Sequence, residues 1–105
     1  MPPDLTVIRW RDIPAQVLAQ GEGRARARAQ LSDRFQEAID EAALRAGLFG
    51  TDEYLNEWRR DSRPCGDDLE AEANAEAARL EEAFDDERLR FLARAGGVAA
   101  EETPA

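Results

Sequence analysis

The polar and apolar positions of the N-terminal segment alternate, which is the pattern of a β-strand. In LTVIRWR, residues 5–11, the odd positions share one face and the even positions share the other. Asp12 and Pro14 then favour a turn, and a second extended run continues to residue 20. The pattern predicts a β-hairpin over residues 5–20, with the face of Ile8 and Trp10 as the better candidate for burial.

The opposite face of this hairpin raises the question of what covers it. A two-stranded hairpin by itself is marginally stable in water. One helix laid on the side of Ile8 and Trp10 leaves the side with Val7 and Val17 unprotected. We therefore expect that second face to be small, wet or covered by something else.

Helical spacing replaces the alternation after residue 24. The segment RARARA alternates like a strand, but alanine and arginine are strong helix formers and an amphipathic stripe follows directly. Thr51 is a suitable N-cap for the next helix, and acidic residues open the last two. Four helices are predicted, at about residues 24–46, 52–60, 68–83 and 86–95.

These elements predict an α+β fold, an N-terminal β-hairpin followed by three to four α-helices. The length suits one domain, expected over residues 5–96, with a flexible N-terminus at 1–4 and a disordered tail at 97–105. The expected core, which also supplies possible interface positions, consists of Ile8, Val17, Leu31, Phe35, Ile39, Tyr54, Trp58, Leu80 and Phe84.

The charge of the chain is unevenly distributed along the sequence. The net charge is −9, which argues against binding to nucleic acid or to anionic membranes. Residues 1–34 carry six arginines against four acidic residues, whereas residues 67–87 carry ten acidic residues against one arginine. All fourteen basic residues are arginine, which we interpret as the codon bias of a high-GC bacterial genome. No apolar run reaches membrane-spanning length and no secretion signal is visible, so a cytoplasmic location is expected.

The side chains that most enzymes use for proton and acyl transfer are scarce in this sequence. Histidine is absent, which removes the commonest general base and the usual zinc ligand. The single cysteine, Cys65, is most simply incidental; the alternative is a redox-active thiolate tuned by Arg63. We expect no catalytic residues, no metal and no cofactor, and therefore a protein that is not an enzyme.

The arginines are the candidate binding residues. The predicted partner-binding set is Arg9, Trp10, Arg11, Arg24 and Arg28, of which the first three form the tripeptide RWR. Outward arginines on a strand also protect a sheet edge from aggregation, which is the simpler interpretation of RWR. Two further alternatives stay open: self-association into a homo-oligomer through opposite charges, and a small anionic ligand held by the same arginines.

Four blocks of the sequence resemble a known family: TVIRWRDIPAQV, RFQEAIDEAALRAGL, TDEYLNEWRR and GDDLEAEA. They are similar to the bacterial virulence factor domain family, which is related to a segment of conserved virulence factor C, and the likeness covers roughly residues 5–95. The family name describes a phenotype and carries no catalytic residues to this chain. The uneven charge, the partly covered hairpin and the missing catalytic side chains favour an accessory protein-interaction module. The resemblance suggests enzymes of folate- and corrinoid-dependent methyl transfer as its candidate partners.

Overall fold

The computed structural model describes residues 2–99, and these form an α+β fold. The elements in chain order are β1 (Asp4–Trp10), β2 (Ile13–Gln20), β3 (Arg26–Gln30), α1 (Asp33–Arg45), α2 (Asp52–Asn56), β4 (Trp58–Pro64), α3 (Leu69–Ala83) and α4 (Asp86–Arg94). The predicted fold class and the N-terminal β1–β2 hairpin are confirmed.

The hairpin is the centre of an antiparallel four-stranded sheet in the order β3-β2-β1-β4. The prediction of one helix over residues 24–46 is wrong for its first part, because residues 26–30 form strand β3 and the helix begins at Asp33. In β3, Ala27 pairs with Ala19 of β2 and Ala29 pairs with Val17. The hydrogen bonds available along β2 outweigh the local helix preference of alanine and arginine, which amounts to a few tenths of a kcal/mol per residue (~0.5).

Strand β4 is absent from the sequence prediction, whose helix over about residues 52–60 includes only the first three residues of the strand. The short helix α2 ends at Asn56, and the chain then pairs with β1 from Trp58 onward, opposite Trp10. Six of the seven residues of β4 are exposed, so the strand has no apolar side that could reveal it in the sequence. It exists because the uncovered edge of β1 supplies a hydrogen-bonding partner.

The helices cover the face of the sheet that was expected to be the more open one. Leu5 and Val7 are 1% and 5% exposed, and Val17 is fully buried, whereas Ile8 on the other face is only half-buried. The predicted choice of face is therefore wrong for Ile8, although Trp10 is buried as predicted. Helix α3 packs on β2 and β3, α1 packs on β2, and α4 packs against α1.

Trp10 is fully buried although it lies at an even position of β1. The pairing of β1 with β2 is irregular between Ile8 and Arg9, just before the strand ends. The indole Nε1–H donates to the carbonyl of Tyr54 at 2.9 Å, and the two rings lie 5.5 Å apart. The start of α2 therefore encloses Trp10 at the end of the sheet.

The chain ends are held by hydrogen bonds within the described residues. The backbone N–H of Asp12 donates to the carbonyl of Gly97 at 2.8 Å, and the N–H of Ala99 donates to the Asp12 carboxylate at 2.8 Å. The carbonyl of Pro3 accepts from Cys65 N–H. The expectations of flexibility and disorder are therefore wrong for residues 3–4 and 97–99; Met1 and residues 100–105 lie outside the described part.

Two carboxylates of helix α3, those of Glu76 and Glu81, tie the helix to β4 and to the start of α1. Glu76, 4% exposed, accepts hydrogen bonds from Arg63 of β4 at 3.0 Å and from Arg79. Burial by itself would raise the pKa of Glu76, but these two arginines outweigh it and lower the pKa below its ordinary value. Glu81 accepts from the backbone N–H and hydroxyl of Ser32 at the start of α1, so it ties α3 to α1.

Candidate docking face of the sheet

One face of the sheet is left uncovered by the described helices, and we refer to it as the open face. Strand register aligns its side chains in three rows that run across β3, β2, β1 and β4. The rows are Gln30–Gln16–Ile8–Arg60, Arg28–Leu18–Thr6–Ser62 and Arg26–Gln20–Asp4–Pro64.

The centre of the open face is apolar and partly exposed. Ile8 and Leu18 are half-buried on the two central strands. Beside them, the hydroxyls of Thr6 and Ser62 are hydrogen-bonded at 2.7 Å. The central strands therefore present a small apolar surface with a satisfied polar pair next to it.

Arginines flank this centre on both sides. Arg26 and Arg28 lie on β3, Arg60 lies on β4, and all three are exposed. Three strand spacings, roughly 14 Å, separate β3 from β4. Within residues 2–99, none of the three guanidinium groups lies in an ion pair with a carboxylate. The open face thus carries cations that the described part of the chain leaves unneutralised.

The two sides of the sheet have opposite charge. The open face holds one carboxylate, Asp4, against its three arginines. Helices α1, α3 and α4 together carry eleven acidic residues and six arginines. The charge asymmetry along the sequence therefore becomes an asymmetry across the sheet, positive on the open face and negative on the helical side.

The predicted partner-binding residues are divided between the interior, the helical side and the open side. Arg9 lies on the helical side and donates to Asp61 at 2.7 Å, and Trp10 is inside the core. Arg11, which has a φ of +53°, donates to Glu57 at 2.8 Å and to the carbonyl of Gly96 at 2.9 Å. These three residues hold the fold together at the end of the sheet.

Only the other two predicted residues lie at or near the open face. Arg28 is part of its middle row, and Arg24 is exposed in the turn between β2 and β3. The predicted partner-binding set did not contain Arg26 or Arg60. The alternation in RARAQ could have identified Arg26, because a strand there places Arg26 on the same face as Arg28. Arg60 could be identified only once strand β4 was known.

The arginines considered for an anionic ligand, Arg9, Arg11, Arg24 and Arg28, do not form one site. Arg9 is paired with Asp61, and Arg11 is paired with Glu57. A cleft of about 470 Å³ lies between β4 and helices α3 and α4 and is lined by four arginines. Each of these already has an internal acceptor: Arg9 with Asp61, Arg59 with Asp12, Arg79 with Glu76 and Arg88 with the carbonyl of Ala83. The four guanidinium groups that line the cleft are therefore all held by acceptors within the chain.

The thiol of Cys65 is not activated. Burial raises its pKa, the carboxylates of Glu72 and Asp4 raise it further, and Arg63 opposes them without reversing the shift. Within residues 2–99, no three histidine, cysteine or acidic side chains are grouped so that they could hold a metal ion. The helices of this part are all too short or too polar to cross a membrane.

Fold and surface together define an α+β module with helices on one side of a sheet and an arginine-flanked open face on the other. The model of the virulence factor family matches residues 8–93, so the chain belongs to that family, as the sequence blocks indicated. No curated protein and no solved structure matches the chain.

Proposed function

We propose that this chain is an accessory protein-interaction module and not an enzyme, and that it docks through its open face onto a carboxylate-rich surface of a partner protein. The observation that carries the proposal is the position of Arg26, Arg28 and Arg60. They surround half-buried Ile8 and Leu18 on a face without a helical cover, and they have no carboxylate partner among residues 2–99.

The physical case rests on what each component contributes to association. Burial of Ile8 and Leu18 removes apolar surface from water, and each square ångström removed contributes about 25 cal/mol. Guanidinium groups form bidentate hydrogen bonds with carboxylates, which gives the contact orientation and selects acidic partners. Opposite charge also accelerates encounter, so association with such a partner is expected to weaken as salt rises.

The resemblance of the sequence suggests where such a partner is to be sought. Enzymes of folate- and corrinoid-dependent methyl transfer are the candidates that it implies, so we propose a subunit of such an enzyme as the first partner to test. The partner is otherwise defined by its chemistry, a surface rich in aspartate and glutamate that faces the arginines of the open face.

A second candidate function is self-association, and the charge of the helical layer favours it. The open face of one copy would contact the acidic helices of the next. Such a contact uses two different surfaces, so it produces chains of molecules unless the rotation closes a ring. Sedimentation at low and high salt tests this candidate, because a monomer at low salt and at high protein concentration contradicts it.

The test of the main proposal compares two triple variants with the same net charge. The first reverses the open face, with Arg26→Glu, Arg28→Glu and Arg60→Glu. The control reverses three exposed arginines of the helical layer, with Arg45→Glu, Arg90→Glu and Arg94→Glu. Both variants and the wild type are cross-linked in the native host, the partner is identified, and the complex is reconstituted from purified proteins.

We expect the wild type and the control to bind the purified partner with similar affinity. The open-face variant should bind about a hundredfold more weakly, because several charge pairs, each contributing about 1 kcal/mol or more, become repulsive. Equal affinity of all three proteins contradicts the proposal, and so does an equal loss in both variants, since net charge and not the open face would then decide binding.

A further inference from the structure

Strand β3 is an edge strand, and among residues 2–99 no further strand pairs with its outer backbone groups. At its two ends, Gly21 N–H donates to the carbonyl of Ala25, and Leu31 N–H donates to the carbonyl of Ala15. Ladder bonds recur at every second residue of an antiparallel strand, so the odd residues of β3 bond to β2. The N–H and C=O groups of Arg26, Arg28 and Gln30 therefore point away from the sheet.

The other sheet edge is less suited to receive a strand. At the two ends of β4, Cys65 N–H donates to the carbonyl of Pro3, and the backbone carbonyl of Glu57 accepts from Arg11 N–H. The even residues of β4 therefore face outward. One of these is Pro64, which has no N–H to donate. The outer edge of β3 contains no proline and is bordered by two arginines of the open face.

The side chains of β3 define the sequence that would fit beside it. A strand added to this edge places alternate side chains on the open face, next to Arg26 and Arg28. Its other side chains lie on the helical side next to Ala27 and Ala29, in the apolar surroundings of the core, which favours apolar groups. The matching pattern alternates acidic and apolar residues.

We propose that the free edge of β3 receives an extended segment of the partner protein, in which acidic residues alternate with apolar ones, as an added fifth strand. The inference rests on the proposed function and specifies how the acidic partner is held. Main-chain hydrogen bonds to Arg26, Arg28 and Gln30 fix the segment, and pairing of its carboxylates with the arginines selects its sequence.

A second copy of this chain does not fit the same edge. Pairing of two β3 strands sets Arg26 and Arg28 beside the same arginines of the other copy, and like charges in neighbouring positions destabilise a sheet. Pairing of β3 with the outer edge of β4 brings Arg60 to the open face next to them. Charge therefore favours an acidic segment of a different protein.

The test uses two synthetic peptides of equal composition. The first, Glu-Val-Glu-Val-Glu-Val-Glu, alternates, and the second, Glu-Glu-Val-Val-Val-Glu-Glu, does not. Amide hydrogen exchange is measured by NMR on the full chain, with affinity from titration. We expect exchange at Arg26, Arg28 and Gln30 to slow at least tenfold with the alternating peptide, and the second peptide to bind at least tenfold more weakly.

A pair of variants separates the backbone contact from the charge contact. Gln30→Pro removes an outward N–H without changing the charge, and Gln30→Ala is the control that keeps it. We expect about tenfold weaker peptide binding for Gln30→Pro than for Gln30→Ala, with the far-ultraviolet circular dichroism of both unchanged.

Three outcomes overturn the inference: equal binding of the two peptides, no binding of the alternating peptide at millimolar concentration, or equal affinity of the proline and alanine variants. The last result, combined with loss of partner binding in the open-face variant, leaves the proposed function intact and removes only the added strand. Failure of the proposed function shows itself separately, as unchanged partner binding in the open-face variant.

Discussion

Gly97 lies so close to the indole ring of Trp10 that a β-carbon at position 97 would approach the ring to 2.9 Å. The backbone of Gly97 also has a φ of +92°, which residues with side chains rarely adopt. The C-terminal turn after α4 therefore seals the end of the sheet, and glycine is required there on two grounds.

Gly97→Ala is expected to lower the free energy of unfolding by about 2–4 kcal/mol, since backbone strain and overpacking each contribute about 1–3 kcal/mol. Gly23→Ala is the matched control, because Gly23 also has a positive φ, +63°, but nothing lies within 4 Å of its added β-carbon. Urea unfolding followed by tryptophan fluorescence compares the two. Equal losses in both variants contradict the close contact with Trp10.

Glu76 is expected to make the free energy of unfolding depend on pH. Its pKa is lowered in the folded state, so its contribution is complete at pH values above the unfolded-state pKa of about 4.3 and is lost as pH falls through the folded-state pKa. Glu76→Gln should destabilise the chain by about 1–3 kcal/mol at pH 7, because Arg63 and Arg79 lose a charged acceptor.

The difference between wild type and Glu76→Gln should therefore shrink as pH falls below about 4. Glu82→Gln, an exposed position on the same helix, serves as control and should change stability by less than about 0.5 kcal/mol at any pH. Denaturant titrations between pH 3 and pH 7 measure both. A constant difference over this range argues against an ion-paired Glu76.

Arg34 and Arg28 are expected to differ sharply in how much each contributes to the free energy of unfolding. Arg34 donates to the backbone carbonyls of Glu81 and Phe84 at 2.8 and 2.6 Å, so it joins the start of α1 to the end of α3. Arg34→Ala should cost about 1–3 kcal/mol because two carbonyls and the carboxylates of Glu81 and Asp86 lose a charged donor.

Arg28→Ala, on the open face, should leave thermal unfolding within about 0.5 kcal/mol of the wild type, since no hydrogen bond or ion pair to its side chain is found among residues 2–99. Calorimetry of the two variants provides the comparison. A large loss of stability in Arg28→Ala indicates that the open face is part of the folding core instead of a docking surface.

Cys65 is expected to react slowly with alkylating reagents at neutral pH. Burial and nearby carboxylates raise its pKa, so less thiolate is present at pH 7.5 than in an unperturbed cysteine. Iodoacetamide should modify the native chain more slowly than the same chain unfolded in urea, and the native rate should increase as pH rises. A native rate above the unfolded rate restores the redox interpretation of this residue.

The sequence alone was sufficient for the fold class, the first hairpin and the helical stripes, because each of these leaves a local periodic pattern. The stripe that contains Phe35 and Ile39 predicts α1, and the acidic residues predicted to open the last two helices are found at the starts of α3 and α4. The family was likewise accessible from short blocks of sequence.

Only the tertiary structure determined the two outer strands and the buried face of the sheet. The choice of buried face in turn determines which residues form the docking surface. RARAQ and WRRDSRP become strands because β2 and β1 have free hydrogen-bonding edges. The paired residues are 6 to 14 positions apart between β2 and β3 and 48 to 60 positions apart between β1 and β4. Whether Val7 or Ile8 is buried depends on the side to which α1, α3 and α4 return. An alternating strand specifies two faces equally well, and only the packing of distant helices against one of them determines which face is left for a partner.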